Sequence, residues 1–556
     1  MASPSSPDLV DAPLPKRIII CCDGTWYAAD KGDNNLPSNV ARLSRALKKV
    51  GEVSYGPEKG QKRAQVVYYQ SGVGTGKLGT LDKVWQGAFG AGLDENVCAA
   101  YNFLVNNYAP GDDVFLFGFS RGAFTARAVA GLVCHAGLLK PHCMEQLFYN
   151  MYTAYRSRKP AQNGRPAEHL SETAWAKELY KSAYETEEQA AENEKRPTNW
   201  EMYAAHSDQD VQIKVIGVFD TVGSLGLPDG VVNSWLGTGE KYKFHNTSLD
   251  SKIKHAFHAL ALDEHRGSFS PTLWYIPETD DETLLKETRL VQCWFPGYHA
   301  NIGGGTTGEG KDDNDIDEIT FAWMCDLVKP YLTFDREAIK LIIPSKTDLP
   351  PVRFHMGKRT QTDSKIGTKK AAVKKIVKKV EVLTASYATS KLDDTYGISW
   401  KAAGGDVRRQ PGEIKPLGDE NKVVKDVETR ECMHPCVAYR EVYSGGAHRC
   451  PSLAPVKTGG WLYPTVDTKW EHRKAKDGNG FVWVKRDNVK GVEGPEITQY
   501  VIPKYNDEDG IGSLERLLVP DEYLAILDEA NVEIKGNGLR CGHEVGHAHE
   551  EGVVCS

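Results

Sequence analysis

Apolar positions in the first three hundred residues recur as short continuous runs, each closed by Gly, Asp or Pro, with longer mixed stretches between them. Arg17-Ile-Ile-Ile-Cys-Cys22 is the first, ended by Asp23-Gly24-Thr25. Ala64-Gln-Val-Val-Tyr-Tyr69 and Val114-Phe-Leu-Phe117 follow, then a run from Val211 to Gly226 that alternates before becoming continuously apolar, and a last one opening at Val291. Short runs without alternation predict strands buried on both faces, as in a parallel sheet. Between them, Asn39 to Lys49 carries Val40, Leu43 and Leu47 at helical spacing, and Leu81 to Tyr108 predicts a longer helix. Ala123 to Leu132 has the small and apolar residues of a buried helix, and His255 to Arg266 also reads as a helix, with His255, His258 and Leu262 on one face. Strands alternating with helices predict an α/β fold, a mostly parallel sheet with helices on both faces.

The pattern changes twice. Pro141 to Glu201 is polar and helix-forming with Tyr, Trp and Met interspersed, which predicts a helical insertion at about 141–205, either a lid or a solvated excursion. Past residue 330 the strand–helix alternation is lost. Lys369 to Lys379 would place Val373, Ile376, Val377 and Val380 on one helical stripe between lysines. Such a stripe suits an anionic membrane surface, although a helix packed on the body is the favoured reading. Residues 385–510 are rich in Gly, Pro, Trp and Tyr, with strand-like pieces such as Gly480-Phe-Val-Trp-Val-Lys485, and predict a mixed α/β accessory or cap region. The expected organisation is a disordered lead-in at 1–16, a catalytic domain at 17–330, an accessory region at 331–540 and a His/Cys-containing tail at 541–556.

Composition narrows the function classes. The chain has 556 residues, 40% hydrophobic and 26% charged, as a globular protein has. A net charge of −7 gives no reason to expect nucleic acid as a partner. No apolar run approaches the roughly 18–20 residues that span a bilayer, and the Pro- and Ser-rich Met1 to Lys16 lacks the apolar core of a secretory signal. The 12 cysteines are therefore read as reduced thiols, and the expected location is cytoplasmic, with or without peripheral membrane contact.

The candidate chemistry centres on Gly118-Phe-Ser-Arg-Gly122, which fits the G-x-S-x-G nucleophile elbow and sits between a predicted strand and a predicted helix. The glycines suit it, because side chains two before and two after a serine in so tight a turn would clash with the flanking elements. Asp220 ends the next core strand, where a carboxylate is placed to orient a histidine. His299 heads a Gly-rich loop after the run that starts at Val291. Ser120, Asp220 and His299 thus appear in the chain order of α/β-hydrolases. Asp23, beside Gly24, reads instead as a turn former, and Asp263 as a local surface partner of His265 on a helix. Gly72-Val-Gly-Thr-Gly-Lys-Leu-Gly79 contains G-x-G-x-x-G by letter, but Leu78 stands where a phosphate loop needs Ser or Thr, so Gly72, Gly74 and Thr75 are read as a substrate-facing loop. His543-Glu-Val-Gly-His547 matches H-E-x-x-H in a glycine-interrupted tail unsuited to the helix a zinc peptidase requires. No metal site and no cofactor are implied.

The elbow, together with Cys22-Asp-Gly-Thr-Trp26, Gly72-Val-Gly-Thr75, Phe219-Asp-Thr-Val-Gly223 and Trp294-Phe-Pro-Gly-Tyr-His-Ala-Asn-Ile-Gly-Gly-Gly305, resembles one α/β-hydrolase family over about residues 17 to 330. It was formerly a domain of unknown function and includes the phospholipase effectors of bacterial type VI secretion and fungal relatives. The resemblance implies a serine esterase or phospholipase with Ser120 as nucleophile, Asp220 as orienting acid and His299 as base. Its bacterial pattern has Asp where this chain has Asn301, an amide that holds a loop but carries no charge. The Arg121 N–H would be one oxyanion donor, and the chain at Gly24 and Thr25 the source of another. Lipid or phospholipid esters are the expected substrates. An acyltransferase or thioesterase on the same residues, or a non-catalytic membrane- or partner-binding protein, are the alternatives.

Overall fold

The computed structural model describes residues 14–24, 37–54, 56–72, 93–159, 168–181, 196–222, 249–276, 288–305, 316–343, 387–388, 392, 407–412, 428–443, 450–453, 456–458, 465–476, 480–487, 492–505 and 512–531. The Lys369–Lys379 segment and the His/Cys tail lie outside them, as do Thr25, Gly74 and Thr75.

The apolar runs form the middle of one sheet. Strands β1 (Arg17–Cys22), β2 (Val50–Glu52), β3 (Lys62–Gln70), β4 (Asp113–Phe119), β5 (Ile213–Phe219), β6 (Ile253–Ala261) and β7 (Arg289–Phe295) come from the first three hundred residues. The carboxyl-terminal third adds β8 (Glu431–Met433), β9 (Val456–Thr458), β10 (Thr465–Lys474), β11 (Phe481–Asp487) and β12 (Val492–Gln499). They make a 12-stranded sheet of order β9-β10-β11-β12-β8-β7-β6-β5-β4-β1-β3-β2. From β3 through β12 by way of β1 and β4 to β8, every neighbouring pair is parallel. The β9–β12 end and β2 pair antiparallel. The fold is α/β, as the alternation of strands and helices predicts.

β1 shows why continuous runs mark this sheet. Ile18, Ile20 and Cys22 enter one core, while Ile19 and Cys21 enter the other. On the first face lie α2 (Leu93–Asn107), α3 (Arg121–Ala136) and α4 (Met144–Arg156); on the second lie α1 (Asn39–Ala46), α6 (Ile316–Val328) and α7 (Arg336–Ile342). α5 (His299–Gly303) is a single short turn of helix between β7 and α6. Each buried Ile is worth roughly 1.5–3 kcal/mol, and both faces are used. In the insertion, α4 turns Leu147, Phe148, Met151, Tyr152 and Tyr155 into the first core, so this part packs on the body.

Two expectations are corrected. His255 to Arg266 is not a helix: Ile253–Ala261 is the central strand β6, paired along its length with β5 and β7. A strand covered on both faces has no polar alternation, and its Ala, Leu and His content mimics a buried helix until sheet neighbours are known. Nor is β7 the last strand, because β8 pairs with it in parallel and carries the sheet onward. Trp294, Met433, Trp470, Trp483 and Ile497 pack together at this junction. Beyond it, Leu514, Tyr523 and Leu527 of the two helices α8 (Leu514–Leu518) and α9 (Asp521–Asn531) close the second core. Among the described residues the cysteines are buried free thiols, burial that suits reduced thiols acting as small hydrophobes. No described helix is long and apolar enough to cross a membrane.

Candidate active site

Parallel strands deliver their carboxyl ends to one edge of the sheet, and that edge holds the site. Ser120 follows β4, Asp220 follows its neighbour β5, and His299 follows β7. Ser120 has φ 57° and ψ −122°, a left-handed conformation that costs a non-glycine residue of order 1–3 kcal/mol. Its N–H donates to the Phe219 carbonyl at 3.1 Å, and its carbonyl accepts from Phe124 in α3 at 3.2 Å.

The turn is tight for a definable reason. A Cβ on Gly118 would lie 2.5 Å from the Gly122 carbonyl oxygen and the Ala123 Cα. A Cβ on Gly122 would overlap the carbonyl oxygens of Cys22 and Asp23 at the end of β1. Both obstacles are backbone, so neither can swing aside. Gly122→Ala is therefore expected to lower stability by about 3 kcal/mol, read as a fall in thermal melting temperature; an unchanged melt would show that the elbow is looser than this packing implies.

The Ser120 hydroxyl lies 2.8 Å from His299 Nε2, and His299 Nδ1 lies 2.6 Å from Asp220 Oδ2. An ionised carboxylate only accepts, so Nδ1 carries the proton and Nε2 accepts from the serine hydroxyl. An imidazole held this way can take the hydroxyl proton. The ring is packed between Phe119 and Phe269, each with centroids 4.9 Å away. Its backbone N–H donates to Glu264 Oε2 at 3.2 Å. Burial pushes the Glu264 carboxyl up, but bonds and charge from Arg266 outweigh it and hold the pKa near 2. Asn301 secures the same loop, its amide oxygen accepting from the Tyr298 N–H at 2.9 Å as expected of an amide there.

Asp220 is fully buried and itself has φ 41°. Its Oδ1 accepts from the Ala261 N–H at 2.9 Å. Burial raises its pKa, yet the Arg409 charge and the bond to His299 overcome that and hold it well below the usual carboxylate range. Arg409 spans both carboxylate oxygens, Nη1 to Oδ1 at 2.5 Å and Nη2 to Oδ2 at 3.0 Å.

Sequence reasoning missed Arg409. It stands in a polar stretch of the carboxyl-terminal third with no motif or periodicity around it, so no local signal could have marked it.

The other candidates fall as follows. His258 is buried on β6, where Nε2 accepts from the Thr221 N–H at 3.1 Å; burial lowers its pKa to about 3. Asp23 accepts from the Gly24 N–H at 2.7 Å, Ser38 Oγ at 2.7 Å and Tyr69 OH at 2.5 Å, a turn-holding role as read. Asp263, which the sequence reads as a surface partner of His265 on a helix, is instead buried beyond the end of β6, accepting from the Gly297 N–H at 2.7 Å and the Ser452 N–H at 3.1 Å. The residue follows β6, and a parallel strand ends inside the loop layer rather than on a helix face. Besides these candidates, Arg127 of α3 donates to the Thr272 carbonyl and lies 4.2 Å over the Trp274 ring, which makes it part of the packing. Among the described residues no group of His, Cys, Asp and Glu could hold a metal ion.

The T6SS phospholipase effector Tle1-like catalytic domain is matched by residues 16–327, more than half of the chain. The chain belongs to this family. An uncharacterised protein of Saccharomyces cerevisiae is 28% identical over 282 residues, covering 47% of this chain and 34% of that protein. The aligned part thus spans about a third of the length of this curated relative. Within the Tle1-like domain lie Ser120, Asp220 and His299; Arg409 lies outside it.

Proposed function

We propose that this chain is a serine hydrolase of lipid esters, phospholipids among them, acting through a Ser120–His299–Asp220 triad and an acyl-enzyme. The observation that carries the reading is the continuous hydrogen-bonded path from the Ser120 hydroxyl through His299 to Asp220, on a strained elbow within a Tle1-like domain.

The chemistry follows from the donors and acceptors. His299 Nε2 takes the proton of Ser120 as Oγ bonds to the ester carbonyl carbon. The carbonyl oxygen becomes an oxyanion beside the N–H of Arg121, the first residue of α3, where helix N–H groups have no partner within the helix. Collapse breaks the ester C–O bond, and the proton on Nε2 passes to the departing alcohol. Water then gives its proton to His299 as it attacks the acyl-serine, and the fatty acid leaves with Ser120 restored. Asp220 keeps the proton on Nδ1 and stabilises the imidazolium. A second oxyanion donor is assigned to the chain after β1; because the Gly24 N–H is engaged by Asp23, Thr25 is the better candidate of the two. The segment after β3, from Gly72 through Gly74 and Thr75, is assigned to the acyl or headgroup side. Residues 17–330 are taken as the catalytic unit and 331–540 as an accessory region.

A fluorophosphonate probe tests the nucleophile. Labelling is expected at Ser120 alone, mapped by peptide mass, and competed by phospholipid vesicles. Undiminished labelling of a folded Ser120→Ala chain would overturn the assignment.

A further inference from the structure

We propose that Arg409, which lies outside the family's catalytic domain, is a positioning residue of the active site, so that the carboxyl-terminal region completes the site electrically and geometrically. The inference rests on the reading of Ser120, His299 and Asp220 given above.

The geometry is that of a built clamp. Arg409 is 4% exposed, and its partner Asp220 is fully buried. Nη1 donates to Asp220 Oδ1 and to the Ala261 carbonyl at 2.7 Å, while Nη2 donates to Asp220 Oδ2 and to the Phe269 carbonyl at 2.6 Å. The terminal N–H groups of the guanidinium are thereby all engaged. Two of the bonds fix the carboxylate plane, and two tie that plane to the end of β6 and to the loop carrying Phe269, whose ring packs on His299. A lysine could supply the charge but not this fork.

The segment carrying Arg409 is itself anchored on either side of it. The Val407 N–H donates to the His265 carbonyl at 2.8 Å, Arg408 Nη1 to the Pro451 carbonyl at 3.0 Å, and the Gly412 N–H to Glu431 Oε1 at 3.0 Å. Gln410 Oε1 accepts from Lys485 Nζ at 2.7 Å. Three of these four contacts come from beyond residue 327, two of them from the added strands β8 and β11, so the segment that presents the guanidinium is anchored there.

The need for it is visible at Asp220. Among the described residues its carboxylate accepts one backbone N–H, from Ala261, besides His299 and Arg409. A buried carboxylate without a charge partner tends to take up a proton. A protonated Asp220 could still accept from Nδ1, but it would carry no charge to stabilise the imidazolium. Arg409 keeps the carboxylate ionised while offsetting part of its pull on the imidazolium proton. Among the described residues, other ionisable groups at the pair are His258, which feels Asp220, Arg409 and Arg127, and the Glu264–Arg266 pair, whose Glu264 carboxylate accepts from the His299 N–H. None of them replaces the fork.

The test uses full-length Arg409→Gln and Arg409→Lys, turning over p-nitrophenyl butyrate across a pH series, with Ser120→Ala in parallel. For Arg409→Gln the expected result is kcat lower by about 10²-fold. KM should stay within about twofold, and the acid limb of kcat/KM should move up by about one pH unit as the His299–Asp220 pair holds its proton more tightly. Arg409→Lys should lose about tenfold in kcat with the acid limb where the parent has it. Parent kcat and profile in Arg409→Gln would overturn the inference, as would equal losses in both variants with an unmoved limb. If Arg409→Gln does not fold, parent kcat in Arg409→Lys overturns it and the tenfold loss at an unmoved limb upholds it. Parent-like turnover by Ser120→Ala would instead defeat the underlying reading, whatever Arg409 does.

Discussion

Ser120→Ala is expected to lower kcat for ester turnover by about 10⁶-fold while leaving the melting temperature close to the parent's. On the proposed mechanism the size of the loss follows from the cooperative nature of the site: without Oγ no acyl-enzyme can form, and His299 and Asp220 have nothing to activate. Residual turnover above buffer would come from the oxyanion donors and binding alone. Stability changes little because the lost bond, Oγ to His299 at 2.8 Å, is a single hydrogen bond worth about 1 kcal/mol net, and alanine bears the same left-handed backbone as serine. Turnover of a short-chain ester and a thermal melt, run on one preparation, check both halves. A folded Ser120→Ala chain that cleaves the ester at a rate near the parent's would remove Ser120 from the mechanism.

Asp220→Asn is expected to lower kcat by about 10⁴-fold, since an amide neither fixes the Nδ1 proton nor stabilises imidazolium. It should also destabilise the protein, by about 3–5 kcal/mol. Viewed from the sequence as a tautomer-setting residue, Asp220 would be replaceable without cost to the fold. The Arg409 fork changes that expectation, because the variant leaves a buried guanidinium uncompensated and turns an amide NH₂ toward one of its donors. The double variant Asp220→Asn/Arg409→Met should regain part of the melting temperature and none of the activity. Parent-like turnover in a folded Asp220→Asn chain would show that another carboxylate serves His299; an unchanged melt would show that the ion pair contributes nothing net.

The local chemistry of the chain made several elements readable. Gly118 and Gly122 bracket Ser120 because backbone stands where side chains would be. Arg17 to Cys22 had to be a strand covered on both faces, since no other short element buries six consecutive side chains. The Asp220 and His299 positions came from the ends of such runs, and the sheet brings them to Ser120 at hydrogen-bonding distance because β4, β5, β6 and β7 are parallel neighbours. The family was legible for the same reason: its motifs are short, and each sits where a strand meets a loop.

What the tertiary structure decided is long in sequence separation. Ile253–Ala261 carries helix-forming residues and is a strand because β5 and β7 offer it ladders on both edges. Asp263 is buried because Gly297 and Ser452 bring their N–H groups to it. Arg409 meets Asp220 across 189 residues, and nothing near either residue encodes the meeting. Motifs record the chemistry a residue performs with its immediate neighbours. The sequence thus determined the α/β plan, the elbow and the order of its partners, whereas a buried charge finds its counter-charge only once desolvation makes an unpaired carboxylate costly, and that happens in the assembled fold.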